Sequence, residues 1–149
     1  MTQDCIKKAS VSDWPELMVI FDRSLRSTDN FSDEEWMKFY ERLVTYSYPN
    51  FDTYIYNKNG RNVAYISYWK EKKNIKMLYV LPEYSNQGIG QKLIKYVLEM
   101  YPETMTIGVK ASNDVAMHIY TKYGFEIIRK EEYDASGVYY PHYVLERKI

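Results

Sequence analysis

Two periodicities divide the chain. Apolar residues recur at helical spacing from Asp13 to about Leu25 and from Ser32 to about Thr45, and each run opens on a start signal. Asp13-Trp-Pro-Glu16 offers an N-cap, a proline tolerated in the first turn and a glutamate at N3, and Ser32-Asp-Glu-Glu35 repeats the capping-box logic between Phe31 and Trp36, placed as a hydrophobic staple. From Phe51 the period shortens to two. Tyr54 to Trp69 reads as two strands around an Asn59-Gly60 hairpin turn. Cys5 to Ala9 predicts a short opening strand and Ile75 to Leu81 another. From Gly88 to Met100 the period lengthens again, with Ile89, Leu93 and Val97 on one helical stripe, Ile94 and Leu98 beside it, and Pro102 beyond. Met105, Ile107 and Val109 alternate as a strand, a helix runs from about Asn113 to Tyr123 and stops at Gly124, and Phe125 to Tyr133 and Tyr139 to Arg147 close the chain as strands. The predicted order is β, α, α, three β, α, β, α, β, β. Without a linker or internal repeat, residues 1–149 are expected to fold as a single domain.

Composition changes this picture little. Hydrophobic residues make up 46% and charged residues 27%, so no stretch reads as disordered. The 17 tyrosines are scattered, which favours half-buried strand packing over an aromatic cage. Twenty basic residues balance twenty acidic ones, so the excess that accompanies phosphate-backbone binding is missing and nucleic acid is not expected as a partner. No apolar run approaches the roughly 20 residues needed to cross a bilayer. Cys5, the one cysteine, cannot form an internal disulfide, and the first residues lack the apolar run of a signal peptide, so a reducing, cytoplasmic setting is expected.

The chemistry concentrates where Tyr79-Val-Leu-Pro-Glu-Tyr-Ser-Asn-Gln-Gly-Ile-Gly90 carries a strand through a proline bend and a glycine turn into a helix. The first amides of a helix lack intrahelical acceptors and the macrodipole places roughly half a positive charge there, which suits a diphosphate. Gly88 and Gly90, lacking Cβ atoms, allow close approach. A plain strand-to-helix turn would use the same residues. A Rossmann fingerprint is rejected: its third glycine would fall at Leu93, and Lys110 lies where an acidic residue is needed. On the later helix Asn113, Ala116 and Tyr120 are spaced three and four apart and share one stripe. Alone, that stripe is as well read as an asparagine cap above a core tyrosine.

Together the strand ending Leu-Tyr-Val-Leu-Pro82, the loop Ser85-Asn-Gln-Gly-Ile-Gly90 and the segment Val109 to Phe125 resemble the GNAT superfamily of N-acetyltransferases. The resemblance is strongest over residues 75–125, and the predicted element order agrees with it throughout. It implies an α/β fold built on a central, mostly antiparallel, splayed sheet flanked by helices, with acetyl-CoA lying where the strands around Tyr79 and Ile107 diverge. It places backbone groups of Leu78, Tyr79 and Val80 against the pantetheine and acetyl group. Ser85, Asn86, Gln87, Gly88, Ile89, Gly90 and Gln91 fall at the pyrophosphate, and Asn113 at the cofactor arm. Tyr120 falls at the general acid, a phenol with an ordinary pKa near 10 that is protonated at neutral pH. Direct transfer to an amine, foremost a primary amine of a small molecule, is the implied reaction. A protein α-amine or lysine and an acyl-CoA sensor without turnover remain open, as does a homodimer by family habit.

Three departures stand out. Ser85 replaces the usual arginine or glutamine of the loop, so a side-chain contact is lost while the backbone cradle survives. Lys76 and Gly108 occupy central-strand positions where some relatives carry a glutamate base, and Gly108 argues against the ribosomal-protein N-terminal type. The base is therefore open among Glu131, Asp134, His142 and a water chain. His118 reads as a surface residue, Cys5 is not expected to act as a nucleophile, and Trp14, Phe31, Trp36, Tyr139 and Tyr140 are the expected acceptor-pocket walls.

Overall fold

Strand and helix follow the predicted order in the computed structural model, which describes residues 4–27, 30–103 and 105–148, the side chain of Tyr46 excepted. The elements are β1 (Asp4–Lys8), α1 (Trp14–Arg26), α2 (Asp33–Arg42), α3 (Tyr48–Asn50), β2 (Asp52–Lys58), β3 (Arg61–Trp69), β4 (Asn74–Val80), α4 (Ile89–Met100), β5 (Thr106–Lys110), α5 (Asp114–Lys122), β6 (Glu126–Tyr133) and β7 (Tyr139–Glu146). The strands form one mixed, open sheet in the order β1-β2-β3-β4-β5-β7-β6. All neighbours run antiparallel except β4 and β5.

Local chemistry sets the boundaries. Asn59 and Gly60 both take positive φ, 53° and 84°, the mirror-image turn that matches the twist of β2 and β3. At α2 the capping box forms as read: Ser32 Oγ accepts from the Glu35 amide at 3.1 Å and Glu35 Oε1 accepts from the Ser32 amide at 3.1 Å. Phe31 packs against Phe39 rather than Trp36, with centroids 5.0 Å apart, while Trp36 stacks on Phe21 at 5.3 Å. Before α1 the box sits one turn earlier than expected, where Asp13 Oδ2 accepts from the Ser10 amide at 2.9 Å. The α2 helix does not end at Thr45. It widens into a π-helical turn, Leu43–Ser47, and continues into α3, so Arg42, Leu43 and Ser47 reach the same cavity.

Alternation sends the strand side chains to two faces. Tyr54 and Tyr68 lie beneath α4, where Tyr54 meets Tyr96 at 5.4 Å and Tyr68 stacks on Tyr101 at 4.0 Å. Tyr65 and Tyr79 lie on the α1 face, where Phe21 sets its edge against Tyr79 at 5.0 Å. Tyr54, Tyr65, Tyr68 and Tyr79 are thus strand-packing residues. Among the polar groups in this core, Thr53 Oγ1 and Ser67 Oγ satisfy each other across β2 and β3 at 2.8 Å.

That pair yields a stability prediction. Thr53→Val alone, measured by urea unfolding, is expected to cost about 1–3 kcal/mol because it orphans the Ser67 hydroxyl, and the double variant Thr53→Val/Ser67→Ala is expected to cost less than the sum of the two singles.

Candidate active site

β4 and β5 pair at only two levels, Asn74↔Thr106 and Ile75↔Ile107, and then separate. β3 stays with β4 as far as Val80, so one side of β4 is laddered while the side that turned toward β5 has no strand to pair with. The separation begins at a bulge. Ser67 lies opposite Met77 and Tyr68 opposite Ile75, which leaves Lys76 as the extra residue. A cavity of about 440 Å³ opens here, bordered by Leu78, Tyr79, Gly108 and Val109 from the two strands, by α1 and the α2–π turn on one side and by the β6–β7 hairpin on the other.

At the far end of β4 the chain turns through a short 3-10 segment, Pro82–Tyr84, into the loop before α4. Asn86 and Gly88 are both left-handed, with φ of 63° and 77°. Asparagine tolerates that region and glycine takes it freely. Among the described residues no group accepts from the amides of residues 86–91, and no side chain caps α4. A run of unpartnered amides at a helix N-terminus is an anion site in waiting. The two glycines differ in role: a Cβ at Gly88 would meet nothing within 4 Å, whereas one at Gly90 would lie 3.8 Å from Leu78 Cδ2. The room at Gly90 is therefore between helix and strand, and the unusual backbone is at Gly88. Ile89 has its side chain in the core, which leaves its amide for the loop. Ser85 Oγ donates to the Pro82 carbonyl at 2.7 Å and is spent on its own turn.

From α5, Asn113 and Tyr120 both line the cavity. Asn113 Oδ1 accepts from the Ala116 amide at 3.0 Å, so the residue is the cap, and its Nδ2 remains as a donor. Tyr120 is 3% exposed, its ring set edge-on to Phe125 at 6.0 Å, and its hydroxyl has no hydrogen-bond partner among the described residues. Burial pushes the phenol well above its ordinary value, so it carries its proton throughout the physiological range.

Register assembles a second group. Lys110 lies opposite His142 on β7, and His142 lies opposite Glu131 on β6, so the three form a row across the sheet. His142 Nδ1 is 2.7 Å from the Tyr140 carbonyl and therefore carries the hydrogen that this carbonyl accepts. Its Nε2 is left facing Glu131 Oε2 at 3.3 Å. Arg129 Nε donates to Glu131 Oε1 at 2.7 Å, and that bond, the Arg129 charge and His142 hold the Glu131 carboxyl below its usual range. Asp134 is committed elsewhere, because its Oδ1 accepts from the Ser136 and Val138 amides at 2.8 and 3.1 Å and closes the hairpin turn. The His142 ring also stands beside Gly108, 3.9 Å from where a Cβ would be.

The cavity thus gathers Leu78, Tyr79, Asn113 and Tyr120 from the predicted set, together with all three candidate bases. The pocket walls differ from expectation. Tyr140 lines the cavity, but Trp14 packs on Tyr48, Trp36 on Phe21 and Phe31 on Phe39, and Tyr139 is 52% exposed. The walls come instead from Phe21, Leu25, Phe39, Leu43 and Phe51. Phe21 and Leu25 come from the buried face of α1, whereas Leu43 reaches the cavity from the π turn. His118 and Cys5 are exposed, in line with their assignment away from the chemistry.

A mixed sheet that splays at its parallel junction, with a free-amide turn at the head of the adjoining helix, defines an acyl-CoA-dependent transferase. Residues 26–147 match the family model of the acetyltransferase (GNAT) domain, and the chain belongs to that family. It is an N-acetyltransferase that uses acetyl-CoA as cosubstrate and an amine as acceptor. It is 27% identical over 137 residues to the peptidyl-lysine N-acetyltransferase YjaB of Escherichia coli strain K12, covering 91% of each chain. In structure it is similar to a GCN5-related N-acetyltransferase from Rhodopseudomonas palustris, with TM-score 0.77, 19% identity and coverage of 99% of this chain and 96% of that one. It is similar also to the PaiA N-acetyltransferase of Thermoplasma acidophilum in complex with coenzyme A, with TM-score 0.74, 17% identity and coverage of 99% of both chains. No helix among the described residues is long and apolar enough to cross a membrane.

The loop geometry predicts a split among substitutions. Asn86→Val and Gly88→Ala force side chains into left-handed backbone at a cost of about 1–2 kcal/mol each and are expected to raise the KM for acetyl-CoA. Gly90→Ala places its methyl in ordinary contact and is expected not to lower Tm in a thermal melt.

Proposed function

We propose that this chain, working as a single domain in the cytoplasm, transfers acetyl directly to a primary amine of a small molecule, with Tyr120 as general acid and His142 as general base. The observation that carries the reading is that a partnerless buried phenol and the His142–Glu131 pair border one cavity at the β4–β5 separation. Acetyl-CoA supplies the activated acyl group, and the residues present fit it. Amides of Asn86, Gln87, Gly88, Ile89, Gly90 and Gln91 hold the pyrophosphate, with Ser85 contributing only its place in the turn. On the open side of the Leu78–Val80 segment, Leu78 and Val80 offer backbone donors and acceptors to the amides of the pantetheine arm while Tyr79 is laddered to β3, and Asn113 Nδ2 adds a donor.

His142 and Glu131 receive the acceptor. An ammonium set beside the pair, off the line joining Nε2 and Oε2, donates to both the imidazole and the carboxylate. His142 Nε2 then takes one proton and turns it toward Glu131, whose depressed pKa keeps it charged as the partner of the resulting imidazolium. Glu131 is too strongly held by Arg129 to serve as the base itself. On the other side Tyr120 offers its proton to the departing sulfur. The burial that raises the phenol also raises the proton affinity of a thiolate leaving beside it, so donor and acceptor stay matched. The protein-lysine reading rests on the name of the Escherichia coli relative and predicts turnover on lysine peptides instead.

Thiol release from acetyl-CoA against amines, polyamines, amino acids and peptides tests this. Amine-dependent turnover is expected, with kcat lowered at least about tenfold in both Tyr120→Phe and His142→Ala. Their pH behaviour should differ. The His142→Ala defect is expected to narrow as pH rises toward about 10, where the amine sheds its own proton, whereas the Tyr120→Phe defect persists because the raised phenol is still protonated there. Tight acetyl-CoA binding with no turnover on any amine would overturn the reading in favour of a sensor.

A further inference from the structure

Lys76 lines the cavity and has no carboxylate partner among the described residues. It is the bulged residue at the closed end of the separation. Among the described residues it makes no ion pair and no hydrogen bond; its ammonium stands 5.3 Å from the Trp69 ring centroid. Loss of solvent around it, and then the Arg42 charge, lower its pKa, with Glu131 acting in the opposite sense. The residue as a whole is exposed, so water screens much of that effect. The cavity's carboxylates do not answer it: Glu131 is bound to Arg129 and His142, and Asp134 to two backbone amides.

The pyrophosphate of acetyl-CoA does not answer it either. Val80 lies four residue steps along the strand from Lys76, about 13 Å at 3.3 Å per step, and the free amides of residues 86–91 begin beyond that. Lys76 therefore sits at the acyl end, where the acceptor arrives. With Arg42 also on this wall, a bare amine or polyamine, itself a cation before it reacts, meets repulsion there.

Building on the proposed transferase reading, we propose that the acceptor amine carries an anionic group on the same molecule, a carboxylate or a phosphate, held by Lys76 in the positive field that Arg42 adds on the same wall, while its amine lies against the Glu131–His142 pair. Phe21, Phe39 and Phe51 wall the same cavity and suit an apolar spacer between the two charges. Lys76 acts here as a specificity-determining residue and takes no part in the proton transfers.

The test compares kcat/KM for matched pairs: ω-amino acids of increasing length against their carboxamides, and phosphoethanolamine against ethanolamine. Wild type is expected to prefer the anionic member by at least about tenfold, the better pair telling carboxylate from phosphate. That ratio is expected to fall toward one in Lys76→Gln and at high salt, and to invert in Lys76→Glu. Arg42→Gln gives the same reading should a Lys76 variant fold poorly. Turnover that proceeds with equal ratios in wild type and Lys76→Gln overturns this inference alone. No turnover with any amine, charged or neutral, overturns the transferase reading and this inference with it.

Discussion

The parting of β4 from β5 after two paired levels is the constraint on which the rest depends. A central strand of an open sheet normally has its backbone groups paired on both sides, and an unpaired buried amide or carbonyl costs about 1–3 kcal/mol. β4 keeps β3 along its length and gives up β5, so its free side is an edge placed in the middle of the sheet rather than at its rim. An extended ligand with its own amides meets that edge as a neighbouring strand would. The pantetheine arm has this chemistry. The bulge at Lys76 begins the parting, and the α4 turn ends it with a second set of unpaired amides, so one ligand can satisfy both.

Everything chemical is then a matter of which side of the gap a group stands on. α5 delivers Tyr120 from one side, buried and without a hydrogen-bond partner among the described residues. β7 delivers His142 from the other, its ring fixed by the Tyr140 carbonyl and faced by Glu131. Burial dominates at Tyr120 and keeps it protonated, whereas hydrogen bonding dominates at Glu131 and keeps it ionised. The carboxylate that some relatives carry on the strand at position 108 is replaced by glycine, and the His142 imidazole lies against that glycine.

Much of this was legible in the sequence because it is written locally. The Asn59-Gly60 turn, the Ser32–Glu35 box and the Gly88–Gly90 helix start each depend on residues within a few positions, and the resemblance over residues 75–125 rests on such segments. The left-handed Asn86 was not read from the sequence, although asparagine is the residue after glycine that most readily takes positive φ. What was hidden depends on register or on an irregularity. Glu131 meets His142 only because β6 and β7 slip at Ile127/Arg129 and again at Glu131/Tyr133. Lys76 lines the cavity as the bulged residue of β4, and Leu43 lines it where α2 loosens into a π turn. Neither irregularity has a marker in the residue types. The pocket walls therefore moved from the exposed or differently packed Trp14, Phe31, Trp36 and Tyr139 to Phe21, Phe39 and Phe51.

The central claim is that backbone, not side chains, grips the cosubstrate along the free edge of β4 and the α4 turn. Amide hydrogen exchange followed by NMR with and without acetyl-CoA tests it most directly. Slower exchange confined to Leu78, Val80 and residues 86–91 on acetyl-CoA addition is the predicted result, and binding that leaves those amides as fast as before while protecting another part of the sheet would contradict it.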